Sequence, residues 1–309
     1  MNSPPLVAVL LGTYQGEGFL AAQLNSIATQ THLHWRVWAS DDGSKDRTRN
    51  ILDQYRTQWG RELLTVLDGP RQGFVANFMS LVRNPAIAAD YFAYADQDDL
   101  WDADKFARAL AWLETIPAET PALYMSRTRL IDEDDKDLGF APLFTTRPPS
   151  FANAMVQNIG GGNTMVFNRA ARDLIAIACT GIVSHDWWTY LLVTGAGGKA
   201  FYDSHPSVRY RQHRANVVGS NVGLLPRLWR AFQVLFRGRF KSWGDMNTQA
   251  LAQVRERLPP ENRRIFDDFV IARSGSLPAR LLALRRSGVH RQGFVDNIGL
   301  YVAALFNRL

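Results

Sequence analysis

Tyr91-Phe92-Ala93-Tyr94-Ala95-Asp96-Gln97-Asp98-Asp99-Leu100-Trp101 is the stretch that most limits what this chain can become. Its apolar, aromatic half reads as a buried strand, and three carboxylates follow within four positions, so mutually repelling charges crowd the end of a rigid element. Such a cluster calls for a cation. Hard divalent ions such as Mg²⁺ or Mn²⁺ take oxygen ligands and keep part of their shell for substrate phosphates, which makes Asp96, Asp98 and Asp99 a candidate seat for a metal and a diphosphate. An acidic turn that opens the next helix is the other reading, with Asp102 as its N-cap. The two are compatible.

The segments before this stretch alternate. Residues 6–11 are wholly apolar and end in Gly12-Thr13-Tyr14-Gln15-Gly16-Glu17-Gly18, and a helix is expected over 19–28. These glycines do not fit the G-x-G-x-x-G spacing, so no nicotinamide or flavin site is read there. Residues 35–40 form a second strand, ending in Asp41-Asp42-Gly43-Ser44-Lys45-Asp46, before a helix over 48–59 with Ile51, Leu52 and Tyr55 on one face. An Asp at a strand's C-terminal end can accept from a pyrimidine N–H or a ribose hydroxyl, and we assign Asp42 to binding and Asp46 to helix capping. A third strand at 63–67 and a helix at 73–82 complete an alternating pattern. It predicts an α/β fold with a mostly parallel central sheet and helices on both faces. Polar loops at Thr13-Tyr14, Asp41-Asp42 and Asp96 to Asp99 then converge on one crevice.

Downstream, residues 122–126 read as a strand, and the acidic run from Asp132 to Asp137 reads as a solvated loop. Pro142, Pro148 and Pro149 predict irregular backbone. Gly160-Gly161-Gly162-Asn163 runs from a loop into a strand and helix. Asp186, in Ser184-His185-Asp186-Trp187-Trp188, opens a helix expected over 187–193, and its position alone leaves a general base and a helix N-cap level. His185 is a second base candidate or a packing residue. Residues 199–202 and 207–213 read as two strands; a neutral imidazole at His213 can complete a metal shell, and arginines can hold a diphosphate through paired hydrogen bonds.

Thr13-Tyr14-Gln15-Gly16, Ser26-Ile27-Ala28-Thr29-Gln30-Thr31, Asp41-Asp42-Gly43-Ser44-Lys45-Asp46-Arg47-Thr48 and Asp96-Gln97-Asp98-Asp99, in this order and spacing, resemble family 2 glycosyltransferases of the GT-A fold. The resemblance covers about residues 6–215, and the form from Asp96 to Trp101 resembles the bacterial rhamnosyltransferase branch. It implies a Rossmann-like GT-A domain, a nucleotide-sugar donor, a divalent Mg²⁺ or Mn²⁺, and inversion at the anomeric carbon. It further implies Asp186 as general base and Asp98 and His213 as metal ligands, with Asp99 either sharing the metal or orienting the loop. Thr13, Tyr14, Gln15, Asp42 and Asp96 fall on the nucleotide side, Arg211 and Arg214 at the phosphates, and Gly161, Gly162 and Asn163 near the acceptor. Gln15 stands where Asn is frequent in the family, and Lys45 where Thr is frequent; neither change removes a carboxylate.

Charge separates the chain into two parts. The net charge is +6, yet residues 224–309 carry 15 Arg plus Lys against 6 Asp plus Glu, or +9, leaving −3 for residues 1–223. We therefore expect a catalytic domain over 1–222 and a basic, amphipathic helical region over 223–309. Within it, Leu224, Leu228, Phe232 and Phe236 share one face of a helix over 224–241. That face either packs on the protein or lies on an anionic membrane surface, and residues 277–286 and 294–306 pose the same choice. The single Cys179 excludes an internal disulfide and a cysteine-based zinc site. No signal peptide is expected, and no apolar run reaches the roughly 18 to 20 residues of a membrane span. A cytoplasmic protein, peripheral on the inner membrane, is expected, acting on a glycan or lipid-linked acceptor with dTDP-L-rhamnose as donor. A nucleotidyltransferase is disfavoured because the loop from Gly12 to Gly18 has no Lys or Arg. The carboxylates at Asp42, Asp98 and Asp186 disfavour a non-catalytic module, and no groove-reading or zinc motif points to nucleic acid.

Overall fold

The computed structural model describes residues 3–177, 180–213 and 239–309. In chain order the elements are β1 (Val7–Thr13), α1 (Leu20–Ala28), β2 (Trp35–Asp41), α2 (Thr48–Trp59), β3 (Leu64–Asp68), α3 (Phe74–Arg83), β4 (Tyr91–Asp96), β5 (Leu100–Trp101) and α4 (Lys105–Leu113). Then come β6 (Ala122–Ile131), β7 (Asp137–Phe140), α5 (Phe151–Ala154), β8 (Val166–Asn168), α6 (Arg169–Ile175), α7 (His185–Gly195) and β9 (Lys199–Arg211). Four helices close the chain: α8 (Arg239–Gln253), α9 (Pro260–Ser274), α10 (Leu277–Ser287) and α11 (Phe294–Leu305).

Two compact units form. The first comprises Met1–Leu143, Gly160–Ile177 and Gly198–Asn216; the second comprises Phe144–Ile159, Ala178–Gly197 and Val217–Leu309. The second unit is thus built from three pieces of chain, two of them upstream of the boundary expected at 222–223. The basic helix expected over 224–241 lies outside the described residues up to position 238, as does Arg214.

In the first unit the sheet runs β3-β2-β1-β4-β8-β6-β9-β5, with β7 paired to β6. β3, β2, β1 and β4 are mutually parallel, which requires both faces to be covered. Val7 to Leu11 are accordingly wholly buried. Period-two alternation sends Val7, Val9 and Leu11 into one cluster with Leu20, Leu24 and Ile27 of α1 and with Phe106 and Leu110 of α4. On the opposite face Phe78 of α3 meets Tyr94 edge-on, with ring centroids 5.6 Å apart. β8 joins the two halves of the sheet, antiparallel to both β4 and β6.

Two local expectations are corrected. The strands expected at 199–202 and 207–213 are one strand of 13 residues, β9. Its pairing register shifts between Ser126 and Thr128, and that irregularity takes up Pro206, which has no N–H for the ladder. Asp102 does not cap α4, which starts at Lys105 with Asp104 in the N-cap position. Its carboxylate accepts instead from Arg209 Nε at 2.9 Å. Asp46 does serve a helix end: Oδ1 accepts from the Thr48 backbone N–H at 3.0 Å.

In the second unit α7 is buried along nearly its whole length. Tyr190 donates from its hydroxyl to Asn153 Oδ1 at 2.9 Å, tying α7 to α5. Arg273 of α9 pairs with Asp245 of α8 at 2.6 Å. Among the described residues, no helix is long and apolar enough to cross a membrane.

Candidate functional site

Parallel sheets of this kind open a crevice at the C-terminal ends of their strands. Here the loops after β1, β2 and β4 are laced to one another by side chains. The Gln97 amide pairs with the backbone of Tyr14 in both directions, accepting from its N–H and donating to its carbonyl, each at 2.8 Å. Gly16 lies so close to the Gln97 amide that a Cβ there would collide with it. Gln15 adopts a left-handed φ of 52°. Its Oε1 holds that conformation by accepting from the backbone N–H groups of Lys45 and Asp46, both at 3.1 Å, while its own N–H donates to Ser44 Oγ at 2.9 Å. Thr13 donates to Asp41 at 3.1 Å. Asp42 accepts from the N–H of Arg71 at 2.6 Å and of Gly73 at 2.8 Å, which leaves each oxygen a second lone pair. Tyr14 is more than half exposed.

The acidic turn divides its carboxylates between surface and interior. Asp98 is partly exposed, and its Oδ2 lies 2.7 Å from His213 Nε2, just past the end of β9. Phe19, at the start of α1, backs this pair: its ring centroid lies 5.3 Å from the His213 ring and 4.5 Å from the Arg211 guanidinium carbon. Asp99 is wholly buried, accepting from Arg211 N–H at 3.1 Å and from Asn163 Nδ2. Burial first, then the charges of Asp98 and Asp96, pushes its carboxyl well above the usual range. Beneath it the ammonium of Lys105, also wholly buried, donates to the Thr164 carbonyl at 3.1 Å and lies 4.7 Å over the Trp101 ring. Burial brings Lys105 down to about 7, against the pull of Asp99.

Four residues that the resemblance places near ligands are engaged within the protein: Asp99, Asn163, Gly162 and Arg211. Asp99 is held inward, with both oxygens engaged, and supports the turn. Asn163 is buried and spends its amide on Asp99, and Gly162 is buried in the adjoining turn, Gly162–Thr164. Arg211 is buried too. Its Nε donates to the Asp98 carbonyl at 2.9 Å and its Nη1 to the Asp132 carbonyl at 3.0 Å, and it pairs with Asp135 at 2.6 Å. It therefore clasps the acidic 132–135 loop to the turn. Asp96 stays half-buried at the end of β4.

Among the described residues no group of three or more His, Cys, Asp or Glu side chains converges in metal-binding geometry. Asp98 and His213 do fit a divalent ion that keeps open positions, as one hard oxygen and one imidazole nitrogen in contact at an accessible edge.

Gln97, Phe19 and Lys105 were not singled out from the sequence. A signal existed for Lys105, since it shares the helical face of Ala109 and Leu113, which is buried. Its replacement is a direct test. Lys105→Met keeps the aliphatic volume and leaves Asp99 buried without its cation, so we expect a loss of about 3 kcal/mol in urea unfolding. Lys105→Met/Asp99→Asn should regain part of that loss. Because the folded pKa of Asp99 lies above its ordinary value, the folded state binds the extra proton, and that contribution disappears as pH rises through the folded pKa. The stability of the single variant should thus fall as pH rises from the ordinary carboxylate range through the raised folded pKa of Asp99. An unchanged urea midpoint would refute this account of the pair.

Asp186 belongs to the second unit, in the first turn of α7. Its Oδ2 accepts from Asn158 Nδ2 at 2.9 Å and its Oδ1 from the Trp187 N–H at 2.7 Å. Trp187 is fixed in turn, donating from its indole to the Ala154 carbonyl at 2.7 Å. Asn158 is a further residue that sequence reasoning passed over. His185 is buried, and burial brings it down to about 4 despite the neighbouring Asp186 charge.

The family model described as Glycosyl transferase family 2 matches residues 8–172, more than half of the chain. The chain belongs to glycosyl transferase family 2. As a family 2 glycosyltransferase it is 27% identical over 223 residues to the dTDP-rhamnosyl transferase RfbG of Shigella flexneri, covering 69% of this chain and 74% of that protein. It is 26% identical over 111 residues to the UDP-Glc:alpha-D-GlcNAc-diphosphoundecaprenol beta-1,3-glucosyltransferase WfgD of Escherichia coli, covering 35% of this chain and 41% of that one. Among solved structures, S. aureus TarS 1-349 in complex with UDP-GlcNAc superposes with a TM-score of 0.56 at 13% identity, over 92% of this chain and 89% of that one. The mannosyltransferase PcManGT from Pyrobaculum calidifontis, in complex with GDP-Man and Mn²⁺, superposes with a TM-score of 0.52 at 16% identity, over 99% of this chain and 87% of that one. These likenesses show that the family 2 chain has the GT-A fold.

Proposed function

We propose that this chain is an inverting, metal-dependent glycosyltransferase that moves L-rhamnose from dTDP-L-rhamnose to a hydroxyl of a cell-envelope or lipid-linked glycan. The observation that carries the reading is the contact between Asp98 and His213 at the strand ends of a GT-A sheet. The likeness to RfbG over 69% of the chain supports the donor. The lipid-linked acceptor draws on the name of WfgD. A cytoplasmic position at the inner membrane follows from such an acceptor.

The proposed chemistry is one displacement. The acceptor oxygen bonds to the anomeric carbon as the bond from that carbon to the diphosphate oxygen breaks, and the hydroxyl proton passes to Asp186. Asn158 and the Trp187 N–H hold that carboxylate in one orientation. Asp98 and His213 would hold the divalent ion, which supplies positive charge to the departing diphosphate. Thr13, Tyr14, Gln15, Asp42 and Asp96 serve the nucleotide side. Arg211 acts from beneath, by fixing the Asp98 backbone.

The test is a donor screen with Mn²⁺ or Mg²⁺, following release of nucleoside diphosphate. Release from dTDP-L-rhamnose should exceed that from UDP- or GDP-sugars, cease with EDTA and return with Mn²⁺. If no nucleotide sugar is bound or consumed, the reading fails; if another sugar is preferred, only the donor fails.

A further inference from the structure

The last helix of the second unit is turned inside out. α11 buries Leu300, Ala303 and Ala304, while Phe294 is 81% exposed, Val295 64%, Ile298 50% and Phe306, just past its end, 65%. Tyr301 and Leu305 are exposed as well. At 3.6 residues per turn these six side chains fall within an arc of about 140°. An ordinary amphipathic helix buries its large apolar side chains and shows its small or polar ones. This one does the reverse, and Asp296 is its sole charge. A continuous apolar stripe of this kind marks a place of association.

Charge decides between the candidate occupants. The second unit, which carries α11, has 16 Arg plus Lys against 7 Asp plus Glu, or +9, whereas the first unit has −3. A second copy docking through this face would bring two strongly basic bodies together. An anionic bilayer presents the opposite charge together with an apolar layer, into which a single convex stripe fits without a matching groove. Arg308, two positions past Phe306, is an exposed cation at the end of the stripe in sequence, and Arg285 is an exposed cation on the preceding helix, α10.

We propose that α11 is an interfacial anchor that lies in the headgroup layer of an anionic membrane, with Phe294, Ile298, Leu305 and Phe306 entering the acyl boundary. The anchor requires neither donor nor metal, so it stands apart from the transferase reading.

Flotation of the full-length protein with vesicles tests it. The protein should float with vesicles containing phosphatidylglycerol and stay behind with vesicles of phosphatidylcholine alone. Ile298→Glu/Leu305→Glu should weaken partition to the anionic vesicles by about tenfold or more. Both positions are exposed, so thermal unfolding should stay at the wild-type midpoint and nucleotide-sugar turnover should be unchanged. Arg285→Glu/Arg308→Glu should also reduce partition. Equal partition to both vesicle types overturns the proposal, as does unchanged flotation of the Ile298→Glu/Leu305→Glu variant. So does a wild-type dimer in sedimentation velocity that ignores vesicles and becomes a monomer in that variant, which would assign the face to self-association.

Discussion

Asp98→Asn is expected to lower turnover by roughly a hundredfold to a thousandfold at saturating donor and metal. Asparagine keeps the shape of the side chain and loses its charge, so His213 would face a neutral amide and a divalent ion would lose its anionic ligand. The residue is partly exposed, and the fold should not suffer. Metal titration of the variant should show half-saturation displaced to higher Mn²⁺, with the urea midpoint unchanged. Asp99→Asn is the informative contrast. That carboxyl is wholly buried between Asn163, Arg211 and Lys105, and its replacement should act first on stability. Equal turnover by Asp98→Asn and wild type would remove the metal assignment.

The second large effect is expected at Asp186. If its carboxylate takes the acceptor proton, Asp186→Asn should reduce kcat by about a hundredfold to ten-thousandfold, the range of general-base contributions. Donor affinity, measured by calorimetry with the unreacted nucleotide sugar, should stay within a few-fold. His185 cannot readily take over. Held to about 4 by burial, it is a weak proton acceptor at neutral pH. A variant that turns over normally would remove Asp186 from the chemistry and leave the rest of the proposal standing.

The first four strands could be read directly because parallel strands, covered on both faces, are continuous apolar runs, as from Val7 to Leu11. Their loops were legible for the same reason, since polar residues end such runs abruptly. Which carboxylate of the acidic turn faces out was not legible. Asp98 and Asp99 are adjacent, and their opposite fates depend on Asn163 and Arg211, which arrive from 64 and 112 positions away. β9 hid behind Pro206, which on local grounds breaks a strand and here falls in a bulge. Residues 294–306 posed a choice between packing and a membrane surface without showing which side of the helix is covered, and the structure covers Leu300, Ala303 and Ala304.

The amide of Gln97, doubly bonded to the Tyr14 backbone, gives the crevice an inherited constraint. Shortening or lengthening either loop breaks both bonds at once, and any side chain at position 16 intrudes on the same amide. The loop after β1 and the turn bearing Asp98 are therefore one transplantable cassette. Exchanging one without the other between relatives would graft a part whose fastening was left behind.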